Sequence, residues 1–319
     1  TAGARSSGCP DVTVLAGERT YFPGGALRLD GAALRDRFID DIRARVTAAG
    51  GPPICLASVV DGDDAASVRY VGMKHRAAAR AGLQTRGTVL SAGTSQAEAE
   101  YLVDALVADP GVGGILVQLP LPAGLDGDRV IDRIDPAKDV DGLTLTNLGR
   151  LVRGAPGQVP ATALAVLRLL DAYRVPLAGR RVTIVGRTPL VGVPLSLLLG
   201  GPQVGASVVV CPADDPELTA RCREADVVIS DASVPHLIGA ERIAPGATVV
   251  DIGASWPEGT LVGDVDTDGV TTIAGALAPN PGGAGPMTVA CLLENTLRTA
   301  GLAAGLGRDD GTAGGGADV

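Results

Sequence analysis

The sequence predicts an α/β protein: two α/β domains around a cleft, the second a Rossmann-type parallel-sheet nucleotide-binding domain. Three observations carry this. Short apolar runs alternate with stretches of helical periodicity along most of the 319 residues. The alternation restarts near Pro160, which marks a second unit. After the restart, the run TIVG opens into a glycine loop and then a helix, the layout of a phosphate cradle.

The elements follow in order. Residues 1–25 are mixed and glycine-rich and are expected to be a flexible N-terminal segment. Gly31 to Ala49 has helical periodicity, with Asp30 as N-cap and Gly50-Gly51 as the stop. ICLASVV (54–60) reads as a buried strand, and a helix runs from Ala66 to near Gly82. LQTRGTVLS is the next strand, and SQAE (95–98) is a capping box opening a helix to Ala108. GGILVQLPLP gives a strand that ends on Gln118. Beyond Pro160 come a helix over 162–173, then the runs VTIV, ASVVVC, DVVIS, TVVDIGAS and TTIAG. A helix from Met287 to Thr299 closes the pattern. The domains are therefore drawn as 26–158 with 286–303, and 159–285, leaving 304–319 as a disordered tail.

Composition narrows the function. A net charge of −9, with no basic run, argues against nucleic acid and anionic membrane surfaces as partners. Aromatic residues are only 2 %, so Leu, Val, Ile and Ala must fill the core. Cys9, Cys55, Cys211, Cys222 and Cys291 are widely spaced and form no CxxC, which suits free thiols in a reducing cytoplasm. With only His75 and His236, the chain offers little for a zinc site or a Ser-His-Asp triad, and no metal is expected. The uncharged stretches 188–213 and 269–293 are broken by Pro and Gly and are read as buried core rather than membrane spans. No charged-then-apolar leader is seen, so a cytoplasmic location is expected.

The chain has two lysines, Lys74 and Lys138, among 27 basic residues. Tyr70 and Lys74 lie four apart and share a helix face, so a phenol and an amine project together; a solvated lysine beside a half-buried tyrosine is the plainer reading. Gln118 sits where a parallel sheet binds ligands, or is a loop-capping amide. KDVDG sets Asp139 and Asp141 beside Lys138: acceptors for an aminopyrimidine edge, or a charged turn with Lys138 in an ion pair. Gly186 and Gly192 let a phosphate approach the backbone, with Arg187 placed to meet it; a tight structural turn is the alternative. Gly282, Gly283 and Gly285 permit close approach of a ligand, or form a rigid connector.

Together these stretches resemble the bifunctional methylenetetrahydrofolate dehydrogenase/methenyltetrahydrofolate cyclohydrolase family. SxxYxxxK matches Ser67, Tyr70 and Lys74; VQLPLP matches 117–122; KDVDG matches 138–142, followed by Asn147, Gly149, Arg150 and Leu151. GRSxxVGxP matches Gly186–Pro194 with Thr188 for Ser, and includes Val191. VIDVG is Val249–Gly253, GDV is Gly263–Val265, and PGGVGPMT is Pro281–Thr288 with Ala284 for Val. The match runs in unbroken order from about Leu27 to Ala300.

The resemblance implies oxidation of 5,10-methylenetetrahydrofolate with NAD or NADP and hydrolysis of the methenyl product to 10-formyltetrahydrofolate, in a homodimer whose last helix returns to the first domain. It implies Lys74, Tyr70 and Gln118 as catalytic residues. Asp141, Ser67, Pro281, Gly282 and Gly283 would bind tetrahydrofolate. Gly186, Arg187, Thr188, Val191, Gly192, Asp214, Ser233, Gly285 and Thr288 would line the dinucleotide site.

Three stretches depart from the family pattern. A His-Ser pair with a following basic residue is replaced by CPADD, where Asp214 favours NAD while Arg187 favours NADP. Ala-x-Gly becomes Asp231, Ala232 and Ser233. PCTPxG becomes Pro160 to Ala165. The departures leave two further readings open: a cyclohydrolase that has lost the dehydrogenase step, and a folate-binding homologue without turnover.

Overall fold

Alternating strands and helices trace one parallel and one mostly parallel sheet in the computed structural model, which describes residues 15–155 and 157–302. The expected tail (304–319) and the first 14 residues of the expected N-terminal segment lie outside the described residues.

The smaller sheet has the order β4-β3-β5 and is all parallel, with β3 at Cys55–Asp61, β4 at Gln84–Leu90 and β5 at Val112–Val117. Helix α1 (Gly31–Ala49) leads into β3; α2 (Ala65–Arg80) and α3 (Gln96–Ala108) are its crossovers. Asp30 caps α1 by accepting from Ala32 and Ala33 N–H, and Ser95 caps α3 by accepting from Glu98 N–H, as their sequence positions dictate. Past β5 come the short α4 (Gly127–Ile131) and α5 (Leu145–Val152).

Helix α6 (Ala161–Ala172) enters the second sheet, built from β6 (Arg181–Val185), β7 (Ser207–Cys211), β8 (Val227–Ser230), β9 (Thr248–Asp251) and β10 (Ala276–Ala278). Helices α7 (Gly192–Gly200), α8 (Leu218–Glu224) and α9 (Thr267–Val270) connect them. The full order is β1-β2-β10-β9-β8-β6-β7.

The two outermost strands, β1 (Thr20–Tyr21) and β2 (Leu27–Arg28), differ from expectation. A segment read as loose up to residue 25 contributes a strand, because β2 pairs in parallel with β10 and β1 folds back on it. TTIAG is not itself the last strand: Thr271 caps α9, and pairing begins at Ala276, where both faces are buried. The closing helix α10 spans Ala284–Thr299, three residues earlier than its apolar pattern, with Pro286 tolerated in the first turn.

Helix α10 packs on α6 and α1, and one apolar cluster runs through all three into β6, β8 and β9. The sheets are thus joined by a shared core of Leu, Ile, Val and Ala. Among the described residues no helix is long and apolar enough to cross a membrane.

Candidate active site

Each sheet contains a point where the chain reverses its direction of travel. The chain goes from β3 to β4 on one side and then to β5 on the other; likewise from β6 to β7, then to β8. Such a reversal leaves a crevice outside the carboxyl ends of the two central strands, the usual ligand site of open α/β sheets.

The first crevice holds the amine. Asp64 caps α2, accepting from Ala66 N–H, Ser67 N–H and the Ser67 hydroxyl at 2.6 Å. Ser67, buried, therefore anchors the helix start. Tyr70 and Lys74 follow, one turn apart. Lys74 Nζ donates to Gln118 Oε1 at 3.0 Å. Strand β5 ends one residue before Gln118, whose backbone N–H donates to Val59 O at 2.8 Å and whose amide donates to Leu119 O at 2.8 Å. The Gln118 side chain is thus fixed between β3 and β5 with its oxygen toward the amine.

Burial lowers the Lys74 pKa from the ordinary lysine value, and nearby Asp141 works against that shift. Burial likewise raises the Asp141 carboxyl, opposed by Lys74 and reinforced by Asp139. The two groups feel each other without an ion pair of 4.0 Å or less.

The structure separates the roles within KDVDG. Asp139 is buried and accepts from Gly142 N–H, Thr144 N–H and Asn147 Nδ2 at 2.8–2.9 Å, which fixes the turn. Lys138 does not form the expected ion pair. Its Nζ donates to Val107 O at 2.8 Å and Asp109 O at 2.9 Å, because the last carbonyls of α3 lack helical partners and an ammonium supplies the donors. Asp141 remains as the acid toward Lys74. It is held from both sides: Ala161 N–H donates to its carbonyl, and Asn295 Nδ2 on α10 donates to Val140 O and Val159 O at 2.8 and 3.0 Å.

The second crevice is a backbone cradle. Gly186 has φ +118°, and a Cβ there would lie 2.3 Å from Asp231 O. A Cβ on Gly192 would lie 2.2 Å from Gly186 O. Helix α7 starts without a side-chain cap; Val193 N–H donates to Thr188 O at 3.1 Å and Pro194 has no N–H, which leaves Gly192 N–H as the first-turn donor for a ligand. Val191 is buried beneath it, and Thr188 Oγ1 accepts from Val191 N–H at 3.1 Å. Arg187 is exposed and close enough to Cys211, at the end of β7, to act on its thiol electrostatically. Asp214 is exposed three residues past that strand end. This cradle of glycines, the Gly192 amide and the Arg187 guanidinium fits a dinucleotide phosphate.

Ser233 takes φ +54°, a left-handed backbone that favours glycine. Its loop is held by Asp264, which accepts from Ser230 Oγ, Ala232 N–H and Val234 N–H at 2.7–2.8 Å.

Pro281 to Gly283 pack on the head of α1: Gly31 N–H donates to Gly282 O at 2.9 Å, and Asn280 Nδ2 ties the loop to Gly253 O at 2.5 Å. The loop therefore connects the domains whatever else it touches. Gly285 is exposed with open space in the first turn of α10, and Thr288 Oγ1 bonds back to Ala284 O at 3.4 Å.

An aromatic contact joins the two halves. Tyr70 of α2 and Trp256, from the loop after β9, meet edge to face, ring centroids 6.4 Å apart at 76°. Sequence reading missed Trp256 and Asn295. The available signal for Trp256 is that it is the chain's only tryptophan; Asn295 carries none, being one amide in an apolar helix.

Comparisons with known proteins agree with this layout. A family model described as tetrahydrofolate dehydrogenase/cyclohydrolase, catalytic domain, matches residues 29–141, and the NAD(P)-binding domain of the same family matches 160–304. The chain is 47 % identical over 285 residues to the "Bifunctional protein FolD 2" of Frankia alni, covering 88 % of this chain and 98 % of that one. It is 45 % identical over 268 residues to the "Bifunctional protein FolD" of Oleidesulfovibrio alaskensis, covering 83 % and 93 %. Among solved structures, the bifunctional enzyme FolD of Campylobacter jejuni superposes with a TM-score of 0.82 at 36 % identity, covering 86 % and 98 %. The Trypanosoma brucei methylenetetrahydrofolate dehydrogenase-cyclohydrolase, solved with NADP and an inhibitor, gives 0.81 at 34 % identity, covering 86 % and 97 %. With both domain models matched in order over one two-crevice fold, the chain belongs to the bifunctional tetrahydrofolate dehydrogenase/cyclohydrolase family.

Proposed function

We propose that the first crevice binds the pterin end of 5,10-methylenetetrahydrofolate and hydrolyses its methenyl product, while the second presents NAD or NADP to it. The observation that carries this is the part-buried Lys74–Gln118 pair, with Asp141 beside it and Tyr70 one turn before it on α2, in a chain that also holds the glycine cradle.

Asp141 receives the donors of the aminopyrimidine edge, and Tyr70 lies along the ring. A dinucleotide held by the Gly186–Gly192 loop and Arg187 would supply the hydride acceptor for the methylene bridge; the protein's share of that step is alignment. Hydrolysis asks more of the side chains. Water adds to the methenyl carbon, the bond to the ring nitrogen breaks, and that nitrogen takes up a proton. The neutral Lys74 amine takes a proton from the water and passes it on, with Gln118 fixing the amine's direction. Burial makes the neutral amine accessible below lysine's ordinary range. Arg187 offers a forked partner for a 2′-phosphate and Asp214 an acceptor for free ribose hydroxyls, so each dinucleotide has a recognition group at the end of β7.

A second copy completes the enzyme. Strand β4 is a seven-residue edge strand, exposed over most of its length, with Val89 67 % exposed. Pairing along it yields a homodimer. The four described cysteines are free and buried, which suits a reducing cytoplasm.

Trp256 supplies the test. As the only tryptophan, packed on Tyr70, it reports the first crevice directly. Titration with tetrahydrofolate changes its emission saturably, and Tyr70→Ala or Asp141→Ala weakens that titration about tenfold or more. Emission indifferent to folate, or unmoved affinities in both variants, contradicts the placement.

A further inference from the structure

The second crevice contains an acid that the cradle itself does not require. Asp231 is the first residue past β8, and Thr188 belongs to the loop past β6. Thr188 Oγ1 donates to Asp231 Oδ2 at 2.5 Å, so the pair spans the mouth of the crevice between the two central strands. Thr188 is a loop donor at the helix N-terminus, where a phosphate oxygen is expected to settle. Its hydroxyl already has an anionic acceptor.

The charge on that acceptor is not neutralised. Burial pushes the Asp231 carboxyl up to about 6, with Thr188 opposing and Asp264 adding to the shift, so it is ionised above neutral pH. Among the described residues it has no ion-pair partner within 4.0 Å, and the nearest acting charge is a second carboxylate, Asp264. A dinucleotide brings two more negative charges to the same place.

We propose that Asp231 is a resident anion of the dinucleotide crevice, holding the Thr188 hydroxyl and repelling phosphate, and that it sets the protein's dinucleotide affinity low. The proposal rests on the reading of the second crevice as the NAD(P) site. It concerns the pyrophosphate common to both dinucleotides, so it is separate from the choice between NAD and NADP at Asp214 and Arg187.

Binding of NAD and of NADP is measured by calorimetry, above neutral pH, on the wild type, Asp231→Asn and Asp231→Ala. Asparagine keeps the shape and can still accept from Thr188; alanine removes both charge and acceptor. Both variants bind both dinucleotides about tenfold more tightly than the wild type. In turnover, the KM for the dinucleotide falls by a similar factor and kcat changes little. A gain in affinity is not produced by a damaged fold, so the expected result is its own control. Unchanged or weaker binding in either variant overturns the proposal, as does tightening confined to NADP, which would make Asp231 a reader of the 2′-phosphate. Absence of binding by wild type and variants alike defeats the NAD(P) reading itself, a different outcome from bound but unimproved.

Discussion

Lys74→Arg lowers methenyltetrahydrofolate hydrolysis by about 10²- to 10⁴-fold, the usual worth of a positioned acid–base group, and lowers hydride transfer by less than about tenfold. The substitution keeps a cation and donors for Gln118 Oε1. It removes the one property that burial confers on Lys74, a proton that leaves below the ordinary lysine range. A guanidinium does not lose its proton in a protein. The sign of the pH dependence follows. The active form of Lys74 is deprotonated, so wild-type hydrolysis rises with pH, and the depressed pKa moves that rise below where a free lysine would put it. In Lys74→Arg the rise is absent. Loss of methenyltetrahydrofolate in a stopped assay across pH reads both features.

Gly192→Ala produces the reverse pattern: dinucleotide binding weakens about a hundredfold and dehydrogenation is lost with it, while hydrolysis persists. A Cβ at that position would lie 2.2 Å from the Gly186 carbonyl oxygen and 3.2 Å from Arg187 Cα, both backbone atoms. Backbone does not step aside as a flexible side chain does, so the whole Gly186–Gly192 loop must shift and the phosphate cradle opens. Lys74, Gln118 and Asp141 belong to the other sheet and keep their places. Calorimetric titration with NADP and NAD, beside a hydrolysis assay, separates the two effects.

What the sequence made legible was mostly local chemistry. Asp30, Ser95 and the Gly186–Gly192 loop announce themselves because a cap or a phosphate turn needs particular residues at particular places. A four-residue spacing sets Lys74 and Tyr70 on one helix face and a strand end places Gln118, but their site roles come from the family resemblance rather than from that local pattern. Long-range contacts were not visible in this way. Nothing local tells that Thr20–Tyr21 and Leu27–Arg28 close the edge of a sheet whose other strands lie beyond Arg181. Nor does KDVDG tell which of its acids turns inward. That depends on Asn147 and Thr144 claiming Asp139, and on the end of α3 claiming Lys138. Trp256 and Asn295 matter through partners 186 and 155 residues away, separations that no periodicity encodes.

The central claim is that one chain carries out both steps on a folate held in the first crevice, hydride transfer to a dinucleotide held in the second and hydrolysis at Lys74. It is tested most directly by giving wild-type protein 5,10-methylenetetrahydrofolate with NAD or NADP and measuring reduced dinucleotide, methenyltetrahydrofolate and 10-formyltetrahydrofolate in one time course. The account predicts reduced dinucleotide and 10-formyltetrahydrofolate in equal amounts, and in Lys74→Arg reduced dinucleotide with methenyltetrahydrofolate accumulating in its place. Hydrolysis of supplied methenyltetrahydrofolate with neither dinucleotide ever reduced would contradict it and leave a cyclohydrolase alone.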